Sequence, residues 1–475
     1  MYRYTRSFLL LTILAFLLSK SQFVKAQGNS ATEFTLEDCI QYALQNNKTL
    51  QNARFDEYIA DASVKEIISS GYPQINGSAD LQYFASLPTS ILPGIFNPKV
   101  DPVTGDPIID PETGQPVPGD PLEVKFGFPW QSTAGIQLNQ LIFDGTFFIG
   151  LQAAKTFVEL SEVNTSRSQE EVALAVSKAY YQALISEEQL NLIDANIERL
   201  KTLYTETQSL NEAGFVEKID VDRLNISYNN LKLEKSKVER FVELSKSMLK
   251  FQMGMPISEP ISFSEKAREL METPNMEIVL DDFDPNNRIE FTLLSTRLKL
   301  ENYNLRRYRA GYMPSLYGFT SMQWNAQRDE FNLFSTNEKW FPIAVMGLQL
   351  NIPIFDGFRK HQQIQQSKLA IRKIENEEII LQQSVSLEIQ SAVTNLNNSL
   401  ETLNAAEKNV ELAREVYRVS QIKYKEGVGS SLELNDAETQ LKQAESSQLS
   451  GMFEYLMAKL ELQKAKGEFS KYHTR

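Results

Sequence analysis

Residues 135–145 read GIQLNQLIFDG, and residues 347–357 read GLQLNIPIFDG. Eight of the eleven positions are identical, at a constant offset of 212. Repetition of this length marks a duplicated unit, so the chain is read as two copies of one plan. Within each copy the pattern changes period. Ile136 and Leu138 alternate with Gln137 and Asn139, and Leu348 and Leu350 alternate with Gln349 and Asn351. That is a strand with one apolar and one polar face. After Asp144-Gly145 and Asp356-Gly357 the apolar spacing becomes helical, so each copy is a strand-to-helix corner. Glycine at the corner suits a backbone conformation that other residues avoid.

Outward from the first corner, Thr146 to Asn211 is one helical pattern. Its apolar positions step by four and three, as in Val172, Val176, Ala179, Ala183, and later Ile193, Ile197, Leu200, Tyr204. Such a seam packs as a coiled coil. Gly214 breaks it, and Asp220 to Phe251 is the antiparallel partner. Phe358 to Tyr424 and Ser431 to Glu468 repeat the arrangement around Gly427. Upstream of each corner lie a helix (34–70; 288–310), a glycine–proline turn at Gly71-Tyr72-Pro73 or Gly311-Tyr312-Met313-Pro314, and a strand (74–85; 315–325). The returning strands are 131–143 and 342–355. Thr35 and Asp38 predict a capping box for the first helix.

Two stretches break the pattern. Residues 86–130 hold ten of the 18 prolines and read as a long loop, because proline removes backbone donors. DPVTG (101–105) and DPETG (110–114) are tandem turns; Asp101, Asp106, Asp110 and Asp120 fit turn chemistry better than calcium ligation. Residues 254–287, with Pro256, Pro260, Pro274 and Pro285, read as a connector. The domain plan is therefore a leader (1–26), a first repeat (27–253), the connector (254–287) and a second repeat (288–475).

Arg3 and Arg6 before the apolar run Phe8 to Leu18, then Val24-Lys25-Ala26, predict a secretory signal. The net charge of −13 falls to −17 once the leader's four basic residues are removed. That balance disfavours nucleic acid as a partner. Cys39 is the one cysteine, and His361 and His473 are the two histidines. No metal, cofactor or catalytic motif is present, so passage or binding is expected rather than catalysis. No apolar run after the leader is long enough for a transmembrane helix, so crossing a membrane would require a closed β-barrel. Four strands cannot close one alone. Either several chains share a barrel, or the strands form a soluble sheet on a secreted coiled-coil protein or adhesin.

Tyr83, Phe84, Trp130, Tyr317, Phe319, Trp324, Trp340 and Phe341 crowd the strands near the loops, as an interfacial aromatic belt would. Ala344, Met346, Leu348, Leu350 and Ile352 fit a lipid-facing strand side, whereas residues 74–82 (QINGSADLQ) fit it poorly.

TLEDCIQYALQNN (35–47), Gly-Tyr-Pro before a strand, the duplicated Ile-Phe-Asp-Gly corner and two coiled-coil hairpins with glycine tips together resemble the TolC family of outer-membrane efflux proteins, over essentially the whole mature chain. The resemblance implies a mixed α and β membrane protein. Three copies would share a twelve-stranded outer-membrane barrel continued by a twelve-helix periplasmic coiled-coil barrel. It also implies a periplasmic adaptor and an inner-membrane transporter as partners, in efflux of drugs or metal ions or in type I protein secretion. Two family aspartates that form a constriction match Glu433 and Asp436. Three apart on a helix, these share one face; from the residues alone they read as two exposed helix acids, and with the resemblance as a ring, which would admit cations. A family acid–tyrosine latch matches Asp220 and Tyr424; an arginine that assists it is replaced by Gly429. Gly214, Phe215, Val216, Gly427 and Val428 at the tips are candidates for adaptor contact, or simply cap the hairpins.

Overall fold

The computed structural model describes residues 32–271 and 288–473, residues 334 and 336 excepted. The expected leader (1–26) and the second half of the connector lie outside the described residues. The chain divides into two compact units. One takes in residues up to Phe55, Val163–Thr292 and Ile380 onwards; the other is Asp56–Glu162 with Leu293–Ile379.

The second unit is built on a four-stranded antiparallel sheet. β2 (Gln74–Tyr83), β5 (Trp130–Phe143), β7 (Ser315–Arg328) and β8 (Phe341–Asn351) lie in the order β2-β5-β7-β8. Directly opposed residues in such a ladder share a face. The register therefore sorts the sheet. Ile75, Gly77, Ala79, Leu81 and Tyr83 face the same way as Leu138, Ile136, Ala134, Ser132 and Trp130. Met322, Trp324, Ala344, Met346 and Leu348 continue that face. The opposite face carries Asn76, Asp80, Gln82, Gln131, Gln137, Gln323 and Asn325, with Ile343, Val345 and several aromatic residues among them.

Two expectations change here. Residues 74–82 fit an apolar-faced strand after all; the alternation is concealed because glycine and alanine fill two of its apolar positions. The aromatic belt splits. The Tyr83 and Trp130 rings lie 4.6 Å apart and Trp130 and Phe331 4.8 Å apart. Tyr317, Phe319 and Phe341 instead lie on the polar face, as the register requires.

The two corners also differ. After β5, helix α3 starts at once and runs Gly145–Glu212, 68 residues. Asp144 caps it, accepting from Thr146 N at 2.7 Å and Phe147 N at 3.3 Å. Gly145 has no left-handed backbone; a Cβ there would sit 3.1 Å from Met313 Sδ and 3.3 Å from Ala310 Cβ. The second strand was expected to reach 355 but ends at Asn351, because Pro353 has no N–H to continue a ladder. Gly357 (φ 66°) and Phe358 (φ 64°) then both turn left-handed before helix α7 (Arg359–Lys425). So close packing explains the first glycine, and positive φ explains the second.

The proline-rich segment is ordered. β3 (Thr89–Leu92) pairs with β4 (Leu122–Lys125). Beyond them Lys99 N donates to Val117 O, Ile108 N to Lys99 O and Val117 N to Ile108 O, at 2.8–2.9 Å. Three short extended segments thus close on one another as a triangle, with Asp101 and Asp110 making the turns. Reading this as a loop missed the pairing, which proline permits at positions that need no donor.

The first unit is helical. β1 (Thr32–Phe34) pairs in parallel with β6 (Ile261–Phe263), a contact absent from the sequence reading. The expected helix 34–70 is two: α1 (Leu36–Asn46), with the Thr35–Asp38 capping box, and α2 (Lys48–Ser69). Asn47 breaks them at ψ 128°, and its Oδ1 accepts from Thr49 N and Leu50 N to cap the second. α4 is Lys218–Met253, α5 Ala267–Met271, α6 Ile289–Ala310 and α8 Ser431–Lys466. The seam residues Val176, Ile193, Leu200, Leu224, Leu231, Val385, Leu403, Tyr417, Leu441 and Leu462 are buried. Arg288 sits beside Glu290 and Glu388, and donates to Ala465 O at the end of α8. Among the described residues no helix is long and apolar enough to cross a membrane.

Candidate functional site

The hairpin ends of the helical unit collect the candidate residues. Gly214 (φ 83°) and Gly427 (φ 72°) turn left-handed, with no atom within 4 Å of where a Cβ would be. Phe215 and Val428 beside them are each 79% exposed. Val216 differs: it packs against the helical core, and its carbonyl accepts from Asn211 Nδ2 at 2.7 Å. It is half-buried and helps cap the first hairpin.

The structure gives the two latch residues other partners. Tyr424 is buried and its hydroxyl donates to Thr207 Oγ1 at 3.5 Å. Asp220 accepts from Ser431 Oγ and from Arg223. Lys425 pairs with Glu206 at 3.0 Å, and Lys442 with Glu234. These two hydrogen bonds and two ion pairs are among the contacts that tie the two hairpins. Thr207 was missed, although it is the next seam step after Leu200 and Tyr204. Ser431 gives no such signal. At Gly429 a Cβ would lie 3.0 Å from Lys423 Cβ and 3.1 Å from Tyr424 N, so a side chain at this turn would be crowded.

Glu433 and Asp436 lie in the first turns of α8, which Ser430 caps by accepting from Glu433 N. Both are exposed. Glu438, one turn on, is buried, and its Oε1 has no partner among the described residues. Burial and the nearby Glu445 push its carboxyl above the ordinary range, against the pull of Arg199 and Lys442. Glu445, also buried, accepts from Arg199 at 3.2 Å and lies 3.8 Å from Arg414. The Arg199 guanidinium lies over the Tyr417 ring. This charged layer between helices was missed, because its acids directly follow the seam positions Ala437 and Ala444. Charges beside a seam usually read as solvated flanks. Chemically, the hairpin end offers exposed acids beside two hairpins tied to each other.

The family model described as outer membrane efflux protein matches residues 39–254 and 286–468. The chain therefore belongs to the outer membrane efflux protein family: it is a TolC-family protein of the outer membrane, and that family consists of channels. Outer membrane protein TolC of Salmonella enteritidis is 21% identical over 350 residues, covering 71% of this chain and 69% of that protein. The probable efflux pump outer membrane protein TtgC of Pseudomonas putida is 23% identical, over 71% of this chain and 69% of its own. The alkaline protease secretion protein AprF of Pseudomonas aeruginosa is 20% identical, covering 68% and 67%. Among solved structures, the CusC channel superposes with a TM-score of 0.69 at 15% identity, over 93% of this chain and 95% of that one. VceC of Vibrio cholerae gives 0.65 at 15% identity, over 91% and 96%.

Proposed function

We propose that three copies of the chain form one passive exit duct through the outer membrane. The carrying observation is the two-faced sheet with open edges. Its apolar face suits lipid and its amide-rich face suits water, and β2 and β8 each lack a strand on one side among the described residues. Strands of 10, 14, 14 and 11 residues are long enough to span a bilayer when tilted. A single sheet would leave two edges unpaired in lipid, where each lost hydrogen bond is costly. Pairing β8 of one copy with β2 of the next closes twelve strands. The helical hairpins assemble likewise into a twelve-helix periplasmic tunnel. Apolar residues exposed on the outward side of α4 (Ile226, Leu233, Leu244, Met248) and of α7 (Leu412, Val416) are then covered by neighbouring copies.

In this reading each chain is two repeats, 27–253 and 288–475, joined by the connector. Glu433 and Asp436 from three copies ring the narrow end. Asp220–Ser431 and Tyr424–Thr207 hold it shut until a periplasmic adaptor engages Phe215 and Val428 at the tips. An inner-membrane transporter supplies the energy, and small molecules, drugs or metal ions, are the cargo. Protein export is the second reading, favoured by the similarity to a protease secretion protein. The two-faced sheet weighs against a soluble adhesin. The test is the mass of the detergent-extracted protein by native mass spectrometry. Three copies are expected; a chain that stays single in detergent and in lipid nanodiscs sinks the reading.

A further inference from the structure

The four sheet strands hold 49 residues and two charged ones, Asp80 and Arg328. Arg328 is neutralised in place. It is buried, donates to Gln327 O and Lys339 O at 2.8 Å, and faces Glu338 at 3.8 Å. Asp80 is different. It is exposed on the polar face, in a row with Thr133, Asn325 and Phe341; its backbone carbonyl accepts from Ser132 Oγ, and its carboxylate has no hydrogen-bond or ion-pair partner among the described residues. That row is next to the one holding Trp324, at the end of the sheet from which both inter-strand segments leave. Those segments are acidic too. Residues 84–129 carry six acids against two bases, and residues 329–340 three against one.

We infer that Asp80 sets a cation preference at the outer mouth of the duct, so that cationic and neutral cargo leaves more readily than anionic cargo. This rests on the trimeric-barrel reading, which turns the polar face inward and makes three Asp80 side chains a ring. The wall around that ring is uncharged, built of amides and hydroxyls with Phe341 and Ile343, and neither adds to nor cancels the field. Distance decides how far the field reaches. Twelve strands about 4.8 Å apart, tilted about 40°, give a lumen radius of roughly 12 Å at the backbone. The Debye length is about 30 Å at 0.01 M salt and about 3 Å at 1 M. Three carboxylates therefore cover the whole lumen at low salt and only its wall at high salt.

The test is the cation-to-anion permeability ratio in planar bilayers, measured with Tyr424→Phe as the background so that the tip conducts. Asp80→Asn is expected to lower the ratio about two-fold or more at ~0.01 M salt and to leave it unchanged at ~1 M. Asp80→Lys should lower the ratio further than Asp80→Asn at low salt. Native mass measured on the same samples shows that each variant still assembles. Assembled channels whose ratio ignores both substitutions at low salt overturn the inference and leave the duct intact. A background protein that assembles yet forms no channels, even with Thr207→Ala added, overturns the duct reading itself.

Discussion

The two Ile-Phe-Asp-Gly corners share four residues and differ in how the chain uses them. At the first, the strand runs to Phe143 and the helix begins two residues later, with Asp144 as cap and Gly145 pressed against Met313 and Ala310. At the second, Pro353 ends the ladder early, and Gly357 and Phe358 make a left-handed turn before the helix. Asp356 there accepts from Lys360 N and pairs with the Lys360 ammonium at 3.1 Å, which holds its carboxyl below the usual range although burial opposes this. One substitution within the repeat, Leu141 against Pro353, thus turns a packed corner into an open one. Identical residues stand in for different physical requirements: space in one case, a backbone angle in the other.

The comparison can be broken by substitutions that separate space from angle. Gly145→Val is expected to cost most, about 2–3 kcal/mol, because its side chain must displace Met313 and the α6 terminus. The loss is read as a fall in the melting temperature of the detergent-extracted protein. Gly357→Ala meets no atom and should cost only about 1 kcal/mol, from the positive φ alone. Equal losses at the two glycines would show that one requirement governs both. The caps sharpen the contrast further. Asp144→Ala gives up two helix N–H groups and a threonine hydroxyl, a loss of about 1 kcal/mol. Asp356→Ala should lose less, a few tenths, because one N–H and one lysine are all it holds and both regain water.

A smaller contrast of the same kind lies on α8, between the exposed Glu433 and Asp436 and the buried Glu438. Burial raises the Glu438 carboxyl, so the folded state disfavours its ionised form. The stability penalty is absent below the ordinary carboxylate range, and it grows as pH rises from that range towards the raised value. Glu438→Gln should therefore melt higher than the parent protein at neutral pH and no higher in acid. A parent protein whose stability relative to Glu438→Gln is independent of pH would remove Glu438 as a buried acid.

Much of this molecule was legible because its signals are periodic. A seam stepping by four and three leaves few alternatives, and Val176, Leu231, Ile389 and Leu462 are buried as it required. The Thr35–Asp38 box and the two glycine tips are local chemistry, fixed by neighbours in sequence. What escaped was non-local or disguised. The β1–β6 pair joins segments more than 200 residues apart, and three-residue strands carry no pattern of their own. The apolar face of β2 was written partly in glycine and alanine. The partners of Tyr424 and Asp220 depend on which side chains a packed helix end brings within reach, and Ser431 gave no sign of that.

The central claim is a conducting duct with an acidic narrow end, and single-channel recording tests it most directly. Protein carrying Tyr424→Phe is compared with the same protein also carrying Glu433→Ala and Asp436→Ala. The account predicts discrete, cation-selective steps in the first and steps with weakened selectivity in the second. Bilayers that stay silent with correctly assembled protein, even after Thr207→Ala is added to loosen the tip, would contradict it.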